Sequence, residues 1–341
     1  MPKRTYDAGV FIGRFQPLHI GHTHIIDQAL KQVDKLIVVV GSSTGARTIK
    51  NPFTYEERKR VIETAYRHDV AMGRLVVVGM PDEADDDAGW AEGVEELVRP
   101  IVAPDGGLSY VTKKIALAGY GKDASSFYLK LFPEWANIQI SSQKGTLNST
   151  DIRRKFFEHL PMIPHDVLPK ASAEFLSEFR WLDVFGELCS EFEYYANYPR
   201  QYGPGPFLTG DSIIRHRGDV LLVTRGKVPG QGKLAMPGGF RNLYERLEDA
   251  ALRELREETG LDLLQFTEIE HSYLVDTPYR SLRGDVLTWV IAATLPDDFD
   301  RSIVKAADDA AALGWFDFSQ LTADQFFDDH WQILNSHFIH T

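Results

Sequence analysis

Along the first half of the chain, short unbroken apolar runs alternate with stretches whose apolar positions recur every three or four residues. The runs Val10–Ile12, Leu36–Val40, Leu75–Val78, Ile115–Ala118 and Ile138–Ile140 predict buried strands, and His22–Gln32, Tyr55–Arg67, Ala91–Val98 and Ser125–Phe132 predict helices between them. Continuous apolar strands separated by helices imply an α/β fold, with a doubly wound parallel sheet covered on both faces. Ligands of such sheets gather at the carboxyl ends of the strands. The pattern changes after Pro161, Pro164 and Pro169. An aromatic-rich stretch, Ala171–Tyr195, predicts one helix, and Tyr202-Gly203-Pro204-Gly205-Pro206 is a strong loop signal. Beyond it, Ser212–His216 and Val220–Thr224 predict strands joined at Arg217-Gly218-Asp219. A helix over Arg246–Thr259 follows, then strands near Ile269–Val275 and Val286–Ala293 and a helix over Ala323–Asn335. That is a mixed sheet with few helices, so the two halves have different architectures.

A length of 341 residues suits two domains. The boundary is expected inside the aromatic-rich helix, giving domains 1–186 and 187–341. Phe175, Phe179, Trp181, Phe185 and Phe192 are expected to complete a core, with domain docking as the alternative. The net charge of −12 argues against a protein that wraps bulk nucleic acid, which needs a basic face. It leaves nucleotide binding open, since a few placed cations and backbone N–H groups suffice. One cysteine, Cys189, rules out an intramolecular disulfide and suits a reducing, cytoplasmic setting. Met1–Gly9 lacks the apolar core of a signal peptide, and Leu36–Val40 is too short to cross a membrane. The acidic run Asp82–Asp87 is expected to be a solvated loop. The oligomeric state is left open, a homo-oligomer included.

The sharpest chemical signal lies in Gly239–Leu261, GFRNLYERLEDAALRELREETGL. On a helix, Glu254, Glu257 and Glu258 stand at i, i+3 and i+4 and share one face, while Leu247, Ala251 and Leu255 form another. Clustered carboxylates repel, and a divalent cation turns that repulsion into attraction. Carboxylate oxygens are the ligands Mg²⁺ prefers. An acidic helix face is usually only solvated, but here the whole spacing is specified: Gly239, Glu245, Arg253, Glu254, Leu255, Glu257, Glu258, Gly260 and Leu261. This segment resembles the Nudix box. The resemblance implies an α/β/α Nudix domain with a mixed sheet, with Mg²⁺ (or Mn²⁺ in its place) held by Glu254, Glu257, Glu258 and the Gly238 carbonyl. It further implies that Glu254 orients the attacking water, that Arg253 orients Glu254, and that Glu245 braces the loop. A later acid, Asp308 or Asp309, is a candidate addition to the site. Pro278 lies near the position seen in the ADP-ribose-cleaving subgroup.

In the N-terminal half, strand Val10–Ile12 runs into GRFQPLHIGH, Gly13–His22, at the start of a helix. Glycines permit close backbone approach to a ligand, and a helix N-terminus attracts phosphate. His19 and His22, three apart, can both donate to phosphate oxygens. The pattern resembles the signature of the nucleotidyltransferase superfamily through Gly13, Phe15, Pro17, His19, Gly21 and His22. Its Gly-Arg-Phe-Gln-Pro form is similar to archaeal-type nicotinamide mononucleotide adenylyltransferases. A second element, Leu147-Asn148-Ser149-Thr150-Asp151-Ile152-Arg153, resembles that family's phosphate-binding motif with Asn148 in place of a serine. The resemblance implies a Rossmann-like domain that binds ATP and nicotinamide mononucleotide and releases NAD and pyrophosphate. It assigns Gly13, Arg14, Phe15, Gly21, Ser149 and Thr150 to nucleotide binding and His19, His22 and Arg153 to catalysis. Asn51 and Arg58 are placed at the mononucleotide, Trp90 on the nicotinamide ring, and Lys122 and Asp123 near adenine. A core role for Trp90 competes equally. The nucleophile is a phosphate oxygen already ionised at neutral pH, so alignment and charge neutralisation suffice.

Both motif sets together resemble the fusion of nicotinamide mononucleotide adenylyltransferase with a Nudix hydrolase, whose hydrolase half acts on ADP-ribose. Three alternatives stay open. The Nudix half could take another nucleoside diphosphate derivative, or serve as a sensor of ADP-ribose or NAD. The N-terminal half could transfer a different nucleotidyl group. The intact glutamate set argues against a sensor, and the Gly-Arg-Phe-Gln-Pro start argues against cytidylyl transfer.

Overall fold

The computed structural model describes residues 4–81, 87–107, 109–119, 131–140, 148–158, 166–278, 280–306 and 310–340. The chain divides into two compact units, Met1–Cys189 and Ser190–Thr341.

The N-terminal unit is built on a five-stranded sheet. Its strands are β1 (Tyr6–Gly13), β2 (Val33–Val40), β3 (Leu75–Gly79), β4 (Ile115–Gly119) and β5 (Ala136–Gln139), in the order β3-β2-β1-β4-β5. All four pairings are parallel, with Gly13 opposite Val40 at the carboxyl edge. The order reverses between β1 and β4, so the chain leaves β1 and β4 on opposite sides and opens a crevice at their carboxyl ends. Val10, Ile12, Ile37, Val39, Ile115 and Leu117 pack on Val94 and Val98 of α4 (Asp87–Val102). Phe11 faces the other way, its ring 5.3 Å from Phe15. The remaining helices of this unit are α1 (Ile20–Leu30), α2 (Tyr55–Ala65), α3 (Arg67–Ala71), α5 (Ser149–Phe157) and α6 (Lys170–Phe179), and α7 (Asp183–Tyr202) crosses the division between units. The single helix expected over Ala171–Tyr195 is therefore two helices, broken at Arg180-Trp181-Leu182. Phe175, Phe179 and Phe185 pack with Phe53 and Phe156, with neighbouring ring centroids 4.8–6.3 Å apart. These three complete a core, as expected. Trp181 does not: at the break it is 88% exposed. Most of the helix expected over Ser125–Phe132 lies outside the described residues.

The C-terminal unit has a seven-stranded mixed sheet. β6 (Phe207–His216), β7 (Asp219–Arg225), β10 (His271–Val275), β11 (Val286–Thr294) and β12 (Ala310–Asp317) run in the order β10-β11-β6-β7-β12, while β8 (Leu234–Ala235) adds to β7 and β9 (Gly238–Phe240) to β6. Among the described strands β6 and β11 pair in parallel, and the other strand pairings are antiparallel. Ala251 and Leu255 of α8 (Leu247–Thr259) pack on one face with Ile214, Leu221 and Ile291. Ile333 and Leu334 of α9 (His330–His340) pack on the other with Val220, Leu222 and Val290. The C-terminal helix starts later than expected; Ala323–Gln325 is only a short 3-10 turn. Gly210 sets the depth of α8, since a Cβ there would lie 2.5 Å from the Ala251 nitrogen. Only glycine lets α8 sit that close to β6, and that closeness lowers its glutamates onto β9.

Candidate functional sites at two helix N-termini and one acidic helix

In the N-terminal unit, the loop from β1 to α1 is locked by its own side chains. His19 caps α1: its Nδ1 accepts from the backbone N–H groups of Gly21 (3.1 Å) and His22 (3.4 Å), while His22 Nδ1 accepts from His19 N–H at 3.3 Å. An imidazole nitrogen that accepts carries no proton, so each ring is left with its proton on Nε2, a donor suited to an anion. The two rings stack with centroids 3.7 Å apart, and the buried Phe15 ring braces His22 edge-on at 4.8 Å. Phe15 was expected at the ligand, but its side chain is core. It holds a left-handed φ of 51°, a costly conformation that turns the chain at the strand end.

Gln16, which sequence reasoning passed over, joins two loops. Its amide donates to the Phe53 carbonyl at 2.8 Å and accepts from the Phe53 N–H at 3.0 Å, acting as a backbone mimic across 37 residues. Arg153 then reaches back from α5 to donate to the Gln16 carbonyl at 2.7 Å and to Thr150 Oγ1 at 3.2 Å. Burial and the neighbouring Arg14 charge push the Arg153 guanidinium down to about 10. Two cations thus lie near one another at the carboxyl edge of the sheet, Arg14 with an exposed side chain. Asn148 caps α5 by accepting from Asp151 N–H at 2.8 Å, and Ser149 Oγ donates to the Pro17 carbonyl at 3.4 Å. The asparagine that departs from the family pattern thus does a cap's work, for which Asn ranks with Ser.

The expectation that Arg58 binds the mononucleotide is corrected. It is buried, and its donors go to the carbonyls of Thr54, Arg14, Gly41 and Ser42 at 2.7–3.1 Å, so it pins the loops after β1 and β2 together. Asn51 keeps a ligand's profile: its Oδ1 is buried with no hydrogen-bond partner among the described residues. Trp90 packs partly buried on the α4 side of the core, 6.3 Å from Phe132, so the structure uses its ring in packing. A Cβ on Gly13 would press on the Phe15 ring at 3.1 Å. Lys122 and Asp123 lie outside the described residues.

In the C-terminal unit, Arg253 organises the acids of α8. It donates to Glu245 Oε1, Glu254 Oε1 and Glu257 Oε2, each at 2.8 Å, and to the Phe240 carbonyl at 2.9 Å. Those hydrogen bonds, Glu245's foremost, raise the Arg253 pKa and lower that of Glu245. Glu245 also accepts from Asn242 N–H at 2.8 Å, so it braces the loop as expected. Glu258 accepts from the Gly238 N–H at 3.1 Å, and a Cβ on Gly239 would lie 2.5 Å from the Glu254 carboxyl carbon. The two glycines let β9 run directly under these carboxylates. Asp211, not anticipated from sequence, is a buried acid beside the half-buried Glu254 and Glu258; it is paired with Gly238 across β6 and β9. Burial pushes Glu258 up to about 8, with Glu254 and Asp211 adding repulsion, and pushes Asp211 up to about 7; Glu254 is raised by burial too.

Glu257 is turned out to Arg253 with 47% of its side chain exposed. Among the described residues, no three His, Cys, Asp or Glu side chains already converge to hold a metal ion. The donor chemistry nevertheless fits a divalent cation: hard oxygens, mutually repelling carboxylates at least half buried, and glycine backbone at contact distance. Asp308 and Asp309 lie outside the described residues. Pro278 sits in a turn after β10. No described helix is long and apolar enough to cross a membrane.

The NUDIX domain family matches residues 208–336, and the cytidylyltransferase-like family matches residues 10–82. Over 187 residues the chain is 34% identical to the nicotinamide/nicotinic acid mononucleotide adenylyltransferase of Acinetobacter baylyi, a stretch covering 55% of this chain and 94% of the relative. The nicotinamide-nucleotide adenylyltransferase of Thermococcus onnurineus is 30% identical over 193 residues, 57% of this chain and 92% of the relative. Among solved structures, a bifunctional NMN adenylyltransferase/ADP ribose pyrophosphatase from Francisella tularensis matches with a TM-score of 0.85 and 31% identity, covering 98% of this chain and 99% of that one. Its complex with AMP and a manganese ion matches with a TM-score of 0.85 at 29% identity.

Proposed function

The chain belongs to the family of bifunctional enzymes that join a nicotinamide mononucleotide adenylyltransferase to a Nudix hydrolase, and from that premise we propose the substrates and the residues that serve each half. The N-terminal site adenylylates nicotinamide mononucleotide with ATP. A 5′-phosphate oxygen of the mononucleotide attacks the α-phosphorus of ATP, the bond to the β-phosphate oxygen breaks, and pyrophosphate leaves. His19 and His22 donate Nε2–H to phosphate oxygens, and Arg153 and Arg14 offset the charge that develops. Arg58 and Gln16 hold the loops that aim them.

The C-terminal site hydrolyses ADP-ribose to AMP and ribose 5-phosphate. Water adds to one phosphorus of the diphosphate, the bridging P–O bond breaks, and Glu254 orients the water while Arg253 orients Glu254. Glu254, Glu258 and the Gly238 carbonyl would hold Mg²⁺, with Glu257 joining once released from Arg253. When bound, the ion polarises phosphoryl oxygens and stabilises the leaving group. ADP-ribose is favoured by the full-length likeness to the Francisella tularensis protein, whose name carries that activity.

The observation that carries the reading is the docking of Glu254 and Glu258 on Gly238-Gly239. A panel assay with Mg²⁺ tests it, offering the whole chain ADP-ribose, NAD, NADH, dinucleoside polyphosphates and oxidised nucleotides. ADP-ribose is expected to give the highest kcat/KM. A higher value for any other compound would displace it. The same protein, given ATP or CTP with nicotinamide or nicotinic acid mononucleotide, settles the transferase substrates.

A further inference from the structure

Beside the acids of the Nudix site lies a set of arginines that the motif does not include. Arg225, at the end of β7, places its guanidinium 4.0 Å from the centroid of the Phe327 ring, and Arg283 reaches within 5.8 Å of the same ring. The Arg225 charge acts on Glu258 and the Arg283 charge on the buried Asp211, each lowering a carboxyl pKa that burial raises. The two cations oppose each other: burial and then the Arg283 charge lower the Arg225 pKa. Among the described residues the Arg225 side chain makes one hydrogen bond, to the Pro229 carbonyl at 2.9 Å, and no ion pair. The Tyr198 hydroxyl is buried near Arg283, whose guanidinium offsets part of the rise that burial gives its pKa. Two guanidiniums held at one ring repel each other, and an anion placed between them would relieve that repulsion.

Arg283 is also aimed. Asp328 sits 3.7 Å from its guanidinium and accepts from Ser281 Oγ at 2.5 Å, while Ser281 Oγ lies 3.3 Å from Arg283 Nε. Asp328 does this from a left-handed φ of 50°, a strained backbone for aspartate that the surrounding contacts must hold. The adjacent Asp329 pairs with Arg280, which also donates to Thr288, so the 280–283 segment is tied twice to the turn before α9.

We propose that Arg225 and Arg283 form a two-guanidinium clamp for the substrate's diphosphate, and that Asp328 is the positioning residue that aims Arg283. Planar guanidiniums grip phosphate oxygens bidentately, which gives orientation as well as charge. The clamp places a diphosphate between two arginines on one side and the α8 carboxylates with their cation on the other. It rests on the reading of the C-terminal site as a diphosphate hydrolase, but it does not require ADP-ribose to be the substrate.

The test is steady-state hydrolysis by the full chain with Mg²⁺, using ADP-ribose or, if another panel compound is preferred, that compound. Preference for another compound would remove the ADP-ribose reading alone. Arg225→Gln and Arg283→Gln are each expected to raise KM at least tenfold with kcat within about threefold, and Arg283→Lys to recover part of the loss. An unchanged KM in both glutamine variants overturns the clamp. Calorimetric titration of the metal-free chain with ADP-ribose reads the same loss as a change in Kd. Asp328→Asn should raise KM alone but add nothing in an Arg283→Gln background, because a positioning residue acts only through its partner. A further, additive loss in the double variant overturns the positioning role. If Asp328→Asn fails to fold, Ser281→Ala removes the hydroxyl between Asp328 and Arg283 and is read in the same cycle.

Discussion

In the N-terminal unit, the chemistry-bearing side chains at the strand ends are tied to backbone: both histidines to N–H groups of the α1 cap, Arg153 to the Gln16 carbonyl, Arg58 to four carbonyls. In the C-terminal unit the acids at the site oppose one another, with Glu258 and Asp211 raised by burial and by neighbouring carboxylates. The first site is assembled by its own hydrogen bonds. The second is held in electrostatic conflict that a cation would relieve. A site for anionic nucleotides can satisfy itself with backbone groups, whereas a site for a metal ion cannot do so without losing its affinity for the ion.

The largest expected effects test whether the two sites are independent. Glu258→Gln should cut pyrophosphate hydrolysis by about 10³-fold or more, as loss of a central catalytic group does, and leave adenylyl transfer unchanged. Equal loss of both activities in paired assays of the one variant would break the two-site account. His22→Ala should do the reverse, lowering adenylyl transfer by about 10²-fold, the scale of one lost donor to a phosphoryl transition state. If its transferase rate matched the parent's, the phosphate-donor assignment would fall.

The second tier concerns pH and metal. A carboxylate whose pKa is raised on folding binds more protons in the native state than in the unfolded chain between the two values. The metal-free C-terminal unit should therefore lose stability as pH rises from the ordinary carboxylate range toward about 8, the value at Glu258. Mg²⁺ should reverse that slope, because it stabilises the ionised forms. At a hundredfold excess over Kd, one bound ion contributes ~2.7 kcal/mol, a rise of several degrees in the melting midpoint for a unit of this size. Thermal melts at pH 5 and 8, with chelator and with Mg²⁺, measure it; a midpoint equally indifferent to pH and to metal would contradict the conflict described above.

The same contrast explains what could be read from the sequence. The glutamates of α8 and the histidines of α1 each lie within one or two turns, so local spacing together with the motif resemblance singled them out, and the apolar runs located each strand of the first sheet. Asp211 and Gln16 escaped because their roles come from partners far along the chain: Gly238 across a strand pairing, Phe53 across a loop. A signal existed for Asp211, a lone acid inside the run Thr209-Gly210-Asp211-Ser212-Ile213 of a strand that is otherwise core. Arg58 was misplaced because sequence spacing cannot tell a guanidinium bound for a ligand from one bound for carbonyls. β12 went unmarked since its Ala310-Ala311-Ala312 start and Gly314 carry little strand preference. The break in the aromatic-rich helix at Trp181 left no glycine or proline to announce it.

The smallest effect sharpens the comparison most finely. If the transferase site depends on hydrogen bonds local to its helix ends, weakening one cap should be felt there and not at the acidic site. Asn148 accepts from Asp151 N–H and starts the helix that carries Thr150 and Arg153. Asn148→Ala should cost about 1 kcal/mol of stability, while Asn148→Ser keeps an accepting oxygen and should cost little. The first turn of α5 would then fray, and Arg153, held at its far end by the Gln16 carbonyl, would spend less time aimed at the anion site. Adenylyl transfer should fall a few-fold in the alanine variant and recover in the serine variant, with hydrolysis constant throughout. A transferase rate that ignored the cap while stability fell would mean that Gln16 alone fixes Arg153, and that the α5 N-terminus does not set the geometry of phosphate binding.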